Sequence, residues 1–560
     1  MKLSQIQYVR PDKKAIINEY KQFLQEFDKA VNANGQIQIY NKFIQLQKHI
    51  NTMASLAYIR FTLDTEDKFY LQESDFYDEN GPIFEEYSIA FADRMLTSPY
   101  RKELEQKLSP LIFQNYEIAK KAFDPQAIEQ MQEDNRLCTA YKKLLSSAKI
   151  EFDGQILNIP QLGKYKEHRD RNLRKQAYEA QGKWMKDHEE EFDDIFNQMV
   201  KVRDQMAKKC GYPNYVQLGY YKMGRNCYSP EDIAKFREQV LTVWVPFVSE
   251  IKAQQQQDLC IEQLKLYDDT VWNLAGNPQP KATIEEMFEN GKKMYREMSP
   301  DTGEFINYML EHDLFDVLSR PKKSGGGYCT ELAEFKMPFI FANFNGTYGD
   351  VDVLTHEAGH AYASYAAMRS IPLYELTQGG METCEVHSMS MEFFAWKWMN
   401  LFFKEEANAY KYMHLSNAIS FIPYGTMVDY FQQLVYENPE MSTRERKNLW
   451  LDLEKKFRPY LSLEQIPYIE EGGRWQYQSH IFERPFYYID YCLAQVIAFD
   501  FLIASQEDYS SAFKKYQTFL KAGGSKTFTQ LVAESGYPGP FDKNALSSIA
   551  SDLKRIREQL

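Results

Sequence analysis

The chain has 560 residues and a formal net charge of -13. This acidic balance argues against nucleic-acid binding, and we expect neither a signal peptide nor an apolar run long enough to cross a bilayer. The seven cysteines are scattered and form no Cys-x-x-Cys pair, so we expect reduced thiols and a cytoplasmic protein.

Helix signals recur throughout the chain. Ser229-Pro230-Glu231-Asp232 and the segment from Thr283 to Glu286 have the pattern of capped helix starts. No Ser/Pro/Gly-rich linker or internal repeat divides the sequence, although its length could hold several average domains. We therefore predict one closely packed, mainly α-helical body.

A glycine-rich segment precedes a predicted strand. The sequence Lys323-Ser-Gly-Gly-Gly-Tyr328 predicts a loop of high backbone freedom, and it is not a phosphate loop because its lysine precedes the glycines. The segment from Met337 to Thr347 is rich in aromatic and β-branched side chains, which is typical of a strand.

The next segment carries His356-Glu357-Ala358-Gly359-His360 within a proline-free stretch that we predict to be helical. Imidazoles at positions i and i+4 share a helix face and can bind one zinc ion, while Glu357 faces the open coordination position as a general base. Gly359 costs a helix about 1 kcal/mol, which predicts close approach of another backbone or of a substrate.

A catalytic zinc takes three protein ligands and keeps one open position, so one ligand is still required. Among the candidates on the predicted helix 382–398, Glu385 and Glu392 share a face with Met and Trp residues, whereas His387 points away from it. A carboxylate buried on such a face needs a metal or a partner. We therefore favour Glu385 as the ligand and Glu392 as an outer-sphere partner, with Glu382 and His387 as alternatives.

Near the C-terminus, His480 precedes a cluster of tyrosines at Tyr487, Tyr488 and Tyr491. An imidazole and phenol hydroxyls can donate hydrogen bonds to the oxyanion that forms during peptide hydrolysis. The alternative is an aromatic stripe in the core, which most of the 39 tyrosines of this chain should form.

These segments together resemble the thimet oligopeptidase and oligoendopeptidase F family of zinc peptidases. The resemblance rests on His-Glu-x-Gly-His, on a glutamate 25 residues after the second histidine and another seven residues later, and on the acidic run that begins at Asp350. It implies that His356, His360 and Glu385 bind one zinc ion per chain and that Glu357 is the base. Asp352, one turn before His356, is expected to orient a ligand imidazole.

The same resemblance implies roles for the tyrosines. The spacing of Tyr488 and Tyr491 matches two tyrosines of the family, so these residues and His480 are predicted to stabilise the oxyanion. Pro485 stands where the thimet branch has a further tyrosine, and the interval from His480 is one residue shorter. It therefore stays open which of Tyr487, Tyr488 and Tyr491 is the donor.

In the family a glycine-rich loop flanks the cleft, and a strand edge beside the zinc helix pairs with the extended substrate. This implies that the edge of the strand Phe339 to Phe344 binds the substrate backbone. The implied substrate-binding residues are Gly326, Gly327, Tyr328, Asn343 and Tyr487.

The fold predicted from this resemblance is a large, mainly α zinc-peptidase fold with a deep substrate channel and a small β-sheet beside the active-site helix. Residues 1–195 are expected to form one wall of the channel, and residues 196–560 the catalytic domain. The predicted function is hydrolysis of internal peptide bonds in short oligopeptides by water that zinc activates and Glu357 deprotonates. We expect no nucleic-acid or membrane partner, and the oligomeric state stays open.

Two other functions are compatible with these residues. A zinc carboxypeptidase or dipeptidyl carboxypeptidase of helical fold would need a fixed cation for the substrate carboxylate, for which Arg474 and Arg484 are candidates. A non-enzymatic peptide-binding protein would not require Glu357.

Overall fold

The computed structural model describes residues 1–560, which form 24 α-helices and five short strands. The mainly α prediction is confirmed. The first twelve helices and two strands are α1 (Lys13–Lys29), α2 (Ala33–Leu63), α3 (Lys68–Thr97), α4 (Arg101–Lys107), α5 (Pro110–Lys121), α6 (Ile128–Ser146), β1 (Ile150–Phe152), β2 (Gln155–Leu157), α7 (Ile159–Lys166), α8 (Arg171–Asp187), α9 (Glu189–Lys209), α10 (Tyr215–Lys222), α11 (Pro230–Gln239) and α12 (Val245–Asp258).

The remaining elements include all those that surround the predicted site. They are α13 (Ile284–Met298), α14 (Pro300–Glu311), β3 (Phe315–Leu318), β4 (Tyr328–Leu332), β5 (Met337–Phe344), α15 (Tyr348–Ser370), α16 (Met381–Phe394), α17 (Met399–Phe403), α18 (Ala407–Glu437), α19 (Thr443–Phe457), α20 (Ser479–Glu483), α21 (Tyr488–Glu507), α22 (Tyr509–Lys521), α23 (Phe528–Glu534) and α24 (Ala545–Glu558).

Both predicted helix starts are present as reciprocal caps. The Ser229 hydroxyl accepts a hydrogen bond from the backbone of Asp232, and α11 begins at the intervening Pro230. Thr283 caps α13 in the same way: its hydroxyl accepts from the Glu286 N–H, and the Glu286 carboxylate accepts from the Thr283 N–H. Each cap satisfies backbone N–H groups that the first helical turn leaves unpaired.

The small β-sheet has the strand order β3-β5-β4. The central strand, β5, pairs in parallel with β3 and in antiparallel fashion with β4. The expectation that the edge of Phe339 to Phe344 pairs with a substrate is therefore wrong, because both edges of β5 are occupied. Nearly every residue of β5 is buried, as in a strand covered on both faces, and the edge strands of the sheet are β3 and β4.

Two hydrophobic cores divide the chain unequally. A core of 19 buried residues is built from α1 to α5 and includes Leu376 from the segment that joins α15 to α16, while 115 buried residues form the main core. On the same joining segment, the Glu375 carboxylate accepts hydrogen bonds from the hydroxyls of Tyr40 (2.5 Å) and Tyr116 (2.6 Å). The N-terminal helices thus hold the connection between two helices of the predicted metal site. The division proposed at residue 195 falls within α9 and stays a prediction.

One helix is long and apolar enough to cross a bilayer, although no such run was expected from the sequence. The helix α21 has the length and the mean hydropathy, 1.4, of a membrane span, but 83% of that stretch is buried inside the protein. Its neighbours α16, α18 and α22 pack around it. The apolar sequence of α21 is therefore explained by its place in the core.

Candidate active site

The helices α15 and α16 approach each other at Gly359. A Cβ atom at this position would lie 2.7 Å from Ser388 Cα and 2.8 Å from the backbone oxygen of His387. Any side chain would force the helices apart, so glycine permits a backbone-to-backbone contact. The close approach predicted at Gly359 is present, and the approaching group is the backbone of α16. This contact brings the candidate ligands of α15 and α16 together.

The side chains of His356, His360 and Glu385 converge, with one ligand atom of each within 4.8 Å of the others. Glu385 Oε2 lies 3.4 Å from His356 Nε2 and 3.5 Å from His360 Nε2. In a tetrahedral zinc site with bonds of about 2.0–2.1 Å, neighbouring ligand atoms lie about 3.3–3.4 Å apart. The donor set and its spacing therefore fit zinc. The alternatives His387 and Glu382 lie outside this cluster, since Glu382 is near Tyr228 and Asp490.

The orientation of His356 is fixed by a chain of hydrogen bonds. Its Nδ1 atom lies 2.6 Å from Glu392 Oε1, and His414 Nε2 lies 2.8 Å from Glu392 Oε2. The indole nitrogen of Trp396, which can only donate, bonds to His414 Nδ1 at 3.3 Å. His414 Nε2 therefore carries the proton in the neutral ring and donates it to Glu392. The other Glu392 oxygen accepts from His356 Nδ1, which leaves His356 Nε2 with a free electron pair for a metal.

Glu357 is the base candidate. Only 7% of the residue is exposed, and its Oε2 atom has no hydrogen-bond partner in the protein. Burial raises the pKa of Glu357, and the neighbouring imidazoles oppose that shift. A buried carboxylate with a raised pKa and an unpaired oxygen is suited to accept a proton from water.

On another side of the site, His480 and Tyr491 form a donor pair. The Gln478 amide nitrogen lies 3.1 Å from His480 Nδ1, and since an amide nitrogen only donates, the neutral ring of His480 carries its proton on Nε2. Burial lowers the pKa of His480 to about 4, so the ring is neutral near pH 7. His480 Nε2 donates to the Tyr491 hydroxyl oxygen at 3.3 Å, which leaves the phenol proton free for another acceptor.

The other two tyrosines of the cluster lie in different surroundings. The Tyr487 hydroxyl donates to Glu385 Oε1 at 2.5 Å. Tyr488 packs its ring against Phe421 and Tyr424. Of the three candidate donors, Tyr491 and Tyr487 line the cavity beside the ligands, whereas Tyr488 does not.

The turn before α21 is held by side chains from distant elements. Phe486 has a positive φ of 68°, a conformation unfavourable for a bulky residue, and its N–H donates to Gln432 Oε1 at 3.0 Å. The buried guanidinium of Arg225 donates to the Phe486 carbonyl and to Asp490 Oδ1. Tyr228 adds a second bond to Asp490, at 2.7 Å. These bonds fix the direction in which the tyrosines leave the turn.

A cavity of about 450 Å³ joins the ligands, Glu357, His480 and the two tyrosines. Of the predicted substrate-binding residues, Gly327, Tyr328 and Tyr487 line it, whereas Gly326 and Asn343 do not. The Asn343 amide instead donates to the carbonyls of Ser324 and Gly326, at 2.8 and 2.9 Å, and so holds the glycine loop in place.

Asp352 also has a partner different from the predicted one. It accepts a hydrogen bond from Tyr410, and it makes no bond to a ligand imidazole. Glu392 already occupies His356 Nδ1, so no donor of that ring remains for Asp352.

Sequence reasoning missed several residues of the site. Residues 329–331 of β4 line the cavity together with Ser364, Gln378 and Gly379. The signal available for β4 was the glycine run directly before it, which marks a strand start. The outer-sphere role of His414 had no local signal, because it lies on α18, 22 residues after Glu392.

Comparisons with known proteins agree with this geometry. The model of peptidase family M3 matches residues 164–551, and that of the peptidase M3 N-terminal domain matches residues 3–123. The chain belongs to peptidase family M3. Oligopeptidase PepF of Bacillus subtilis (strain 168) is 22% identical over 408 residues, which are 70% of this chain and 58% of that protein, so the match spans less than two thirds of its length.

Solved structures match over nearly their whole length. PZ peptidase A, solved with an inhibitor, is 43% identical with a TM-score of 0.97, covering 100% of this chain and 99% of that one. Oligoendopeptidase-F from Enterococcus faecium is 14% identical with a TM-score of 0.63, over 98% and 97% of the two chains, and this likeness concerns the fold alone.

Proposed function

We propose that this M3 family member is a zinc-dependent endopeptidase that hydrolyses internal bonds of short oligopeptides. The observation that carries the proposal is the convergence of three zinc-type ligands with the unpaired carboxylate oxygen of Glu357 in one cavity. A peptide-binding protein would gain nothing from a buried, unpartnered carboxylate, which costs free energy. The M3 assignment and the likeness to PZ peptidase A support the same reaction class.

His356, His360 and Glu385 would hold one zinc ion per chain. Bound there, zinc supplies Lewis-acid chemistry, which lowers the pKa of water and polarises a carbonyl. Glu392 keeps His356 Nε2 available by binding the proton on Nδ1. Ser388 donates to Glu385 Oε2 at 3.0 Å, which fixes the orientation of that carboxylate.

Two groups of the protein have separate roles in the reaction, one in proton transfer and one in stabilising the oxyanion. Glu357 accepts a proton from the attacking water at its free oxygen and returns it to the leaving amine nitrogen. Tyr491, whose oxygen accepts a hydrogen bond from His480 Nε2, donates a hydrogen bond from its phenol O–H to the developing oxyanion. His480 holds the Tyr491 hydroxyl before substrate arrives, so little reorganisation of this donor is needed during the reaction.

The substrate backbone would lie along β4. Its outer edge is unpaired in the sheet, and residues 328–331 line the cavity. An extended peptide can add to such an edge through main-chain hydrogen bonds, with little dependence on its sequence. A cavity of about 450 Å³ favours short, flexible peptides over folded proteins, because local unfolding of a stable protein costs several kcal/mol. A cytoplasmic location is also proposed, with seven free cysteines in support.

Mass spectrometry of defined peptides tests the proposal. We expect internal cuts in peptides with either a free or an amidated C-terminus, and no cuts by the Glu357→Gln variant. Stepwise loss from the C-terminus, abolished by amidation, would instead establish a carboxypeptidase. Efficient cleavage of an intact folded protein, compared with a short peptide from its sequence, would contradict the size limit.

A further inference from the structure

The cavity wall contains one arginine or lysine, Arg484, and four glutamates. Each glutamate has a role or partner within the protein. Glu385 belongs to the ligand set and Glu357 is the base. Glu331 accepts a hydrogen bond from Ser364 at 2.9 Å, and Glu483 pairs with Lys142 at 3.1 Å. Arg484 is the one charged group of the cavity wall with neither a partner nor an assigned role: its side chain makes no hydrogen bond or ion pair and is exposed at the cavity.

The backbone of Arg484 is fixed although its side chain is free. Its N–H donates to the His480 carbonyl at 3.0 Å, and its carbonyl accepts from the Tyr487 N–H at 3.1 Å. Pro485 follows and restricts the backbone further. Arg484 therefore lies in the short turn between two residues of the donor cluster, so its guanidinium is attached close to the reaction centre.

The charge of Arg484 acts on its surroundings. Burial is the main cause of the lowered pKa of His480, and the charge of Arg484 shifts it in the same direction. In Tyr491, where burial dominates and raises the pKa, the same charge opposes the rise. The guanidinium is thus electrostatically coupled to both members of the donor pair and is not neutralised by any internal carboxylate.

We propose that Arg484 binds a carboxylate of the substrate peptide, supplied either by an aspartate or glutamate side chain or by a free C-terminus. This inference rests on the proposed peptidase function and adds a substrate class to it. A guanidinium presents planar, paired donors that match a carboxylate, and in the proposed reaction the cavity holds a peptide. The chain carries a net charge of -13 and four glutamates line the cavity, so a local cation would offset the repulsion of an anionic peptide there.

The test compares acidic peptides with their neutral isosteres. A peptide that the protein cuts is varied by placing Glu or Gln at each position around the cut, and each version is made with a free and an amidated C-terminus. We would measure kcat/KM for the wild type and for the Arg484→Gln variant. Calorimetry would give Kd for the zinc-loaded Glu357→Gln protein, again with and without Arg484→Gln. The control is Arg444→Gln, which removes the same charge from an exposed position on α19 outside the cavity.

At one position, or at the free C-terminus, we expect the carboxylate peptide to be favoured over its amide by roughly threefold to tenfold, the range of an exposed but directional ion pair. Arg484→Gln should abolish that ratio in both kcat/KM and Kd, apart from any change that carboxylate and amide peptides share, and Arg444→Gln should preserve it. The affected position distinguishes a side-chain carboxylate from the C-terminus.

Two results would overturn the role of Arg484. One is an equal loss of kcat/KM for carboxylate and amide peptides in Arg484→Gln, which would show a structural effect on the turn. The other is a preference for the carboxylate peptide over its amide that Arg484→Gln leaves unchanged. Failure of the wild type to cut any peptide would refute the peptidase function itself, while the Kd comparison would still decide whether Arg484 binds a carboxylate.

Discussion

The candidate metal ligands and the tyrosines are held in place by different means. On the ligand side, α15 and α16 touch through their backbones at Gly359, and one helix supplies the outer partner of an imidazole on the other. On the tyrosine side, a strained turn at Phe486 is held by Arg225 and Gln432, which come from separate elements.

This difference indicates how each half of the site would respond to change. Helix packing at backbone contact resists small displacements, because a shift of one helix must move its whole length. A turn held by a few polar bonds can lose its position when one bond is lost. Substitutions on the ligand side should therefore change metal binding, and those on the tyrosine side should change turnover with the metal retained.

The largest effects are expected from two carboxylates of the ligand side. Glu357→Gln should lower kcat by at least about 10²–10⁴ with zinc retained, because an amide cannot accept the proton of water. Glu385→Ala should lose most of the zinc, since two histidines leave the ligand set incomplete. Metal analysis alongside peptide hydrolysis separates the two variants. Full zinc content in Glu385→Ala, or substantial turnover by metal-replete Glu357→Gln, would contradict these assignments.

The tyrosine side is tested by removing single hydroxyls. Tyr491→Phe should lower kcat by roughly 10²–10³, with little change in KM and with zinc content unchanged, as for other oxyanion donors. Tyr488→Phe is the matched control, because Tyr488 does not line the cavity and should change kcat only a few-fold. If Tyr488→Phe is the more damaging variant, the donor is Tyr488. A change confined to KM would place Tyr491 in substrate binding.

Glu392 tests whether the outer partner tunes the metal site. Both groups that contact its oxygens, on His356 and His414, donate hydrogen bonds, and a glutamine offers only one acceptor oxygen. Glu392→Gln should therefore weaken zinc binding by about 10-fold to 100-fold in a chelator competition assay. The control Glu331→Gln changes a carboxylate of the cavity that does not contact the imidazoles. This variant should keep the zinc affinity of the wild type. Equal losses in the two variants would show a general charge effect.

The smallest effect is expected in the half of α21 that lies away from the site. Asp500 is 8% exposed, one of its oxygens is unpaired, and burial raises its pKa to about 8. Between about pH 4 and pH 8 the unfolded state loses this proton and the folded state keeps it, so stability falls as pH rises.

Asp500→Asn should remove that loss and raise Tm by about 2 °C at pH 8, with a smaller gain at pH 5 and unchanged kcat. The control Asp452→Asn removes the same charge from an exposed position on α19. A gain that does not depend on pH would assign the effect to packing, and a change in kcat would show that this half of α21 also acts on the site.

The local parts of the site were predictable from sequence. The i and i+4 spacing of His356 and His360 needs only helical geometry, and the face shared by Glu385 and Glu392 follows from the same period. The mainly α fold followed from caps and periodic apolar positions. Errors began where partners come from elsewhere in the chain. Asp352 lies one turn from His356, but the carboxylate of Glu392 binds the imidazole and Asp352 binds Tyr410 instead.

By itself, the sequence determined the candidate metal-binding helix, its candidate base and the helical class, because each depends on residues within a few turns of one another. Only the tertiary structure decided which strands form the edges of the sheet, which tyrosines line the cavity and that the arginine of the cavity wall has no partner. Strand order places β4 at the edge, and the Phe486 turn directs Tyr491 and not Tyr488 toward the ligands. These features depend on contacts between residues far apart in the chain, and the residue pattern within one segment does not predict such contacts.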